Sequence, residues 1–193
     1  MSAAPKHKWT VEEYLTFERD SEIRHEYLDG EVFAMAGASE NHILVTVNTL
    51  ASLGTQLRKR PSKVYATAMR VKVKKTGLYT YPDVVIVCDT PQFNDDTPAS
   101  LLNPTLIIEV LSATTENYDR GKKFQHYRKL DSLKEYVLIA QDSPRIEHYV
   151  RQNDGRWLLF SDVSELDTAI ELPSISCTLA LTDVYEKVIF EDE

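Results

Sequence analysis

Two carboxylates stand where apolar residues are expected. Glu109 lies in TLIIEVLSATTE, among Leu106, Ile107, Ile108, Val110 and Leu111, and Asp83 opens the run YPDVVIVC. Runs of this kind suit strands covered on both faces, where an unpaired charge is very costly. Strand alternation puts Asp83 on a face with Val85 and Val87, and Glu109 on a face with Ile107 and Leu111. If the two strands are neighbours, the acids meet at one edge of an apolar sheet. They then repel each other unless one is protonated or a cation lies between them. Magnesium meets that demand, because it takes hard oxygen ligands and is commonly held by one or two carboxylates with water and substrate phosphate. The plainer alternatives are a turn aspartate beside Pro82 and a buried ion pair joining Glu109 to a lysine or arginine.

A basic group is within reach along the chain. In ENYDRGKKFQHYRK the residues Asp119, Lys123 and Tyr127 fall at i, i+4 and i+8, so on a helix they share one face. Lys123 can reach back toward the carboxylates, since the helix starts a few residues after the Glu109 strand ends. The alternative is a surface pair between Asp119 and Lys123 with Tyr127 in the core. His25, His42, His126 and His148 lack metal-ligand spacing to one another and read as structural or exposed.

These residues need elements to hold them. Thr10 with Glu13 forms a capping box, with Trp9 and Tyr14 as its staple, and predicts a helix to about Arg19. Asp29-Gly30 is a turn signal between two short strands. A second helix is expected after Ser39, ending before Pro61. Residues 63 to 74 alternate as one half-buried strand, with Val71 and Val73 on one face and Arg70, Lys72 and Lys74 on the other. YPDVVIVC and the Glu109 segment are buried strands, and Thr114 or Thr115 caps a helix from about Glu116 to Leu130. EYVLIA, RIEHYV and RWLLFS add strands, and a short helix closes the chain near Leu181 to Lys187. Helices interleaved with strands, then a run of strands, imply an α/β (α+β) fold: a mixed β-sheet flanked by helices.

The chain of 193 residues shows no linker, repeat or low-complexity tract, so residues 1–193 read as one domain, with fraying expected at both ends, the last of it acidic (Glu191, Asp192, Glu193). No stretch resembles a signal peptide or a bilayer span, which points to the cytoplasm and away from membranes. Cys88 and Cys177 have no metal-type spacing and read as free thiols. The net charge of -8 opposes a nucleic-acid partner, yet no acid occurs between Glu40 and Asp83, where Arg58, Lys59, Arg60, Lys63, Arg70, Lys72, Lys74 and Lys75 fall. Such a strip can follow a polyanion, because local potential draws phosphate in. It can equally be a solvated face.

Four stretches, RHEYLDGEV, YPDVVIV, IIEVLSATTENYDRGKKFQHY and KEYVLIA, resemble the Uma2 family of proposed endonucleases in the PD-(D/E)xK nuclease superfamily. The resemblance spans about Trp9 to Lys187. It implies a restriction-endonuclease-like fold in which Asp83 and Glu109 are metal ligands and Lys123 is the catalytic lysine. Leu111 stands where the superfamily usually has that lysine, which in Uma2-like sequences has moved to the following helix. Glu26, in RHEYLDG, matches an N-terminal acid placed near the metal; Asp119 and Tyr127 are further candidates. The implied activity is phosphodiester hydrolysis of DNA with magnesium, or manganese in its place, by a homodimer, with the basic strip on backbone phosphates. One alternative is a nuclease-fold module that binds DNA or a partner protein and has lost cleavage. Another is a structural protein in which Glu109 merely pairs with Lys123.

Overall fold

The computed structural model describes residues 7–35, 37–94 and 99–190; the ends expected to fray lie largely outside them. Helix α1 (Val11–Asp20) begins on the expected capping box, with Thr10 accepting from the Glu13 N–H and Glu13 from the Thr10 N–H. Strands β1 (His25–Leu28) and β2 (Glu31–Ala34) form a hairpin whose two turn residues both have positive φ, Asp29 at 50° and Gly30 at 84°. That is the turn whose twist matches paired strands. Helix α2 (Glu40–Leu57) is capped by Ser39.

The segment expected to be one strand over residues 63 to 74 is two. Strand β3 (Lys63–Ala66) joins one sheet and β4 (Val71–Val73) another, with a turn between them. The physical reason lies in Arg70, which is buried at the join and bonds the Ser100 hydroxyl at 2.8 Å. An inward arginine breaks the outward basic face that simple alternation predicts.

After β4 come β5 (Leu78–Thr80), β6 (Val84–Val87) and β7 (Leu106–Leu111). A helical segment follows in three parts: α3 (Glu116–Tyr118), a π-helical turn over Asp119–Lys123, and α4 (Phe124–Tyr127). Thr115 is the residue before it, but its side chain makes no capping bond. Strands β8 (Glu135–Ala140), β9 (Ile146–Arg151) and β10 (Trp157–Val163) come next. A ribbon of β11 (Ala169–Leu172) and β12 (Cys177–Ala180), absent from the sequence reading, precedes α5 (Leu181–Val184).

Among the described residues the main sheet has the order β10-β9-β8-β7-β6-β3, antiparallel except for the parallel pair β7 and β8. A four-stranded sheet, β2-β1-β5-β4, stands against it. Alternation along β6 and β7 divides the core. Val84, Ile86, Leu106, Ile108 and Val110 pack with α2, α5 and the ribbon, while Val85, Val87, Ile107 and Leu111 pack with Phe124 and Tyr127. Tyr14 and Tyr27, stacked on each other, and Tyr79, tilted against Tyr14 and edge-on to Tyr27, tie α1 to the smaller sheet. No helix among the described residues is long and apolar enough to cross a membrane.

Candidate active site

The two sequence anomalies do meet. β6 and β7 pair antiparallel with Val84 opposite Ile108, so one step further along the register Asp83 stands opposite Glu109. Asp83 is tied to that neighbouring strand, because the Val110 N–H donates to its Oδ2 at 2.7 Å. Its Oδ1 lies 3.0 Å from His42 Nε2 at the start of α2. Both carboxylates are buried, with relative exposures of 7% for Asp83 and 3% for Glu109.

Lys123 reaches Glu109 from the helical segment. Its Nζ is 3.0 Å from Glu109 Oε1, 3.0 Å from Glu26 Oε1 and 3.2 Å from Asp119 Oδ1. The Tyr127 hydroxyl donates to the same Glu109 oxygen at 2.6 Å, and the Thr80 hydroxyl donates to Glu26. Thus Glu26, Glu109, Asp119, Lys123 and Tyr127 form one connected cluster, and Asp83 adjoins it through β7. The π turn aligns this helical segment. In a regular α-helix, eight residues drift by about 80°, which would set Asp119 and Tyr127 at opposite margins of one face. The wider turn over Asp119–Lys123 rotates the other way and cancels the drift. Single π turns are frequent at functional sites.

Electrostatics follow from four acids sharing one lysine and one histidine. Burial raises the Glu109 carboxyl to about 8, with Lys123 opposing and Asp119 and Asp83 adding to the rise. Asp119 is also raised, first by burial. Burial alone would lower Lys123, but Glu109 and the other acids hold it well above its usual value. His42 is likewise raised despite its burial, because it sits on Asp83.

This donor set fits magnesium. It consists of hard oxygens with excess negative charge, and the strained ionisation of Glu109 is what a dication would relieve. Among the described residues no three histidine, cysteine, aspartate or glutamate side chains converge into a complete ligand set.

The sequence reading missed two residues. His42, read there as structural or exposed, bonds Asp83; Thr80 links Glu26 to the Tyr127 hydroxyl, 3.4 Å away. A histidine three residues into a helix, or a threonine in a strand, carries no signal of its own. The other histidines are structural where they are buried: His25 pairs with Glu18 at 3.0 Å and His148 with Glu135 at 2.7 Å.

The basic strip is not gathered at this site. Helix α2 starts at the acids and carries the chain about 25 Å before Arg58, Lys59 and Arg60. Lys63 pairs with Val87, at the end of β6 remote from Asp83. Lys74 and Lys75 occupy the β4 to β5 turn, opposite the end where Thr80 meets Glu26. Arg60 bonds the Ile175 and Ser176 carbonyls, Arg70 is buried, Lys72 lies over the Tyr79 ring and Lys75 pairs with Asp131 at 2.6 Å. Of the strip, Arg70 lies nearest the acids, beside Val71, which pairs with Thr80.

A central antiparallel strand pair ending in facing acids, with a lysine-bearing helical segment across it, defines a restriction-endonuclease-like nuclease fold. The chain belongs to the Uma2 family, described as "Putative restriction endonuclease", whose model matches residues 11–182. Two Synechocystis sp. proteins are similar, both described as uncharacterized. One, sll1609, is 37% identical over 78% of this chain and 85% of its own; slr1290 is 34% identical over 97% of each. The crystal structure of "a putative nuclease belonging to DUF820" from Anabaena variabilis superposes with a TM-score of 0.74 at 17% identity, over 93% of this chain and 99% of that one. This last likeness concerns the fold.

Proposed function

We propose that this chain is a magnesium-dependent DNA endonuclease that hydrolyses phosphodiester bonds, with Asp83 and Glu109 as the metal ligands. The observation that supports it is the register opposition of Asp83 and Glu109, with the Lys123 ammonium 3.0 Å from the latter. When bound, the cation supplies positive charge to the phosphoryl group and acidifies water. The protein's own residues position and neutralise. His42 and the Val110 N–H fix the rotamer of Asp83. Tyr127 and Lys123 do the same for Glu109. As a compact point charge held beside the reacting centre, Lys123 stabilises negative charge as it develops on the phosphate. Glu26 and Asp119 hold that ammonium in place.

Plasmid nicking and cleavage of duplex, single-stranded and branched DNA, with magnesium or manganese, test the reading. Activity is expected to vanish in Asp83→Ala and Glu109→Ala, together with metal binding in titration calorimetry. Cleavage by the wild type no greater than by Asp83→Ala would overturn it.

One observation favours a second reading, a nuclease-fold module that binds DNA without cutting it. Both Asp83 oxygens and the Lys123 ammonium already have partners within the protein. Under that reading DNA binding weakens steeply with salt and survives loss of either acid.

A further inference from the structure

We infer that Arg24, which the sequence reading did not single out, binds a backbone phosphate of DNA at the mouth of the acidic site. The inference rests on the nuclease reading and deepens it. β1 and β5 pair with Tyr27 opposite Tyr79. Continuing that register sets Glu26 opposite Thr80, which the bond between their side chains supports, and brings Arg24 to the Tyr81-Pro82-Asp83 segment. The Arg24 guanidinium lies 5.7 Å from the centre of the Tyr81 ring, and Tyr81 is two residues before Asp83. Arg24 immediately precedes β1 and stands two residues before Glu26, which contacts Lys123. Arg24 is exposed and, among the described residues, forms no ion pair with a carboxylate.

A buried network holds it there. Glu18, fully buried on α1, accepts the His25 N–H at 3.0 Å, lies 3.0 Å from His25 Nδ1 and accepts the Tyr81 hydroxyl at 2.9 Å. One carboxylate thereby fixes the residue between Arg24 and Glu26 and also the ring beneath Arg24. The metal site does not use this network, and a buried acid is costly unless its bonds are complete. Its effect is to hold an exposed guanidinium over a fixed aromatic face, leaving its donors free for an anion. A planar fork of this kind suits phosphate. The acids beside it would repel a polyanion; Lys63, Lys74 and Lys75 lie at the ends of their strands away from the acids, and Arg70, nearer to them, is buried, so a phosphate approaching on this side meets Arg24.

The test is binding of a short fluorescein-labelled DNA duplex, followed by anisotropy over a range of salt, with calcium replacing magnesium to hold the site's charge. Arg24→Ala is expected to weaken binding about tenfold and to lower the slope of log affinity against log salt by about one phosphate contact. Arg24→Lys is expected to keep the slope and recover part of the affinity. A purely structural role would shift affinity without the slope. Wild-type binding that Arg24→Ala leaves unchanged in both respects overturns this inference alone. Absence of wild-type binding overturns the nuclease reading, and this inference with it.

Discussion

Glu109 is an ordinary carboxyl placed where ionisation is expensive, and its consequences can be measured through protons. Its raised value, about 8 against an ordinary 4.5, means the folded protein holds a proton there that the unfolded chain has released. Between those pH values the native state binds more protons, so Glu109 makes stability fall as pH rises through the window. A metal ligand must give that proton up. Magnesium affinity is therefore expected to rise with pH up to about 8 and then level off, with proton release visible by calorimetry in buffers of differing ionisation enthalpy. An affinity flat across the window, with no proton released, would show that metal binding takes no proton from Glu109. Removing the hydroxyl beside it, in Tyr127→Phe, deletes a buried bond of 2.6 Å and is expected to cost about 1–3 kcal/mol in urea unfolding. Lys123 still lies 3.0 Å from Glu109 in that variant, so the fold should persist.

At the level of elements, the β1 to β2 turn joins the strand that carries Glu26 to its hairpin partner. Gly30 has φ +84°, and a Cβ there would lie 3.1 Å from Lys8 Cβ and 3.3 Å from the Trp9 carbonyl oxygen. Gly30→Ala is expected to cost about 1–2 kcal/mol from the left-handed backbone alone, read as a fall in melting temperature. This turn was legible in the sequence because Asp-Gly has a specific backbone meaning. So was α1, through its reciprocal cap, and so were β6 and β7, whose unbroken apolar runs leave little choice but a buried strand. The facing of Asp83 and Glu109 could only be conditional, since no local pattern says which strands are neighbours. The strand over residues 63 to 74 misled because Val71, Lys72 and Val73 alternate whether or not Arg70 turns inward. The ribbon β11 and β12 was missed because LPSISCTLA interrupts its apolar residues with proline and serine. His42 gains its meaning from Asp83, 41 positions away, a distance no local rule spans.

For the whole molecule, the basic residues at the far end of the sheet bear on where DNA can lie. Replacing Arg58, Lys59 and Lys63 together by alanine is expected to leave duplex affinity within about twofold, in contrast to Arg24→Ala, and the same anisotropy titration separates them. Strand β10 is the other large-scale feature. It forms an edge of the main sheet and exposes Leu158, Leu159 and Phe160, each about half accessible. A register shift between Leu159 and Ser161 interrupts its pairing with β9, which blunts the edge as a template for further strands. Leu158→Lys is expected to reduce turbidity at high protein concentration with little change in melting temperature, because that side chain is half exposed.

The π turn over Asp119–Lys123 has a further consequence, concerning the kind of change the site can tolerate. A π turn holds one more residue than an α-helical ladder over the same rise needs. The position of Lys123 is thus set by the number of residues before it as well as by their chemistry. Excision of Gly121, whose Cα faces open space, would let the ladder close as a regular helix. Far-ultraviolet circular dichroism should then be nearly unchanged, yet everything upstream would turn relative to Tyr127 and part Asp119 from the cluster. Single substitutions along this segment trim the site by degrees, whereas a frame shortened by one residue would leave an intact helix aimed at the wrong place.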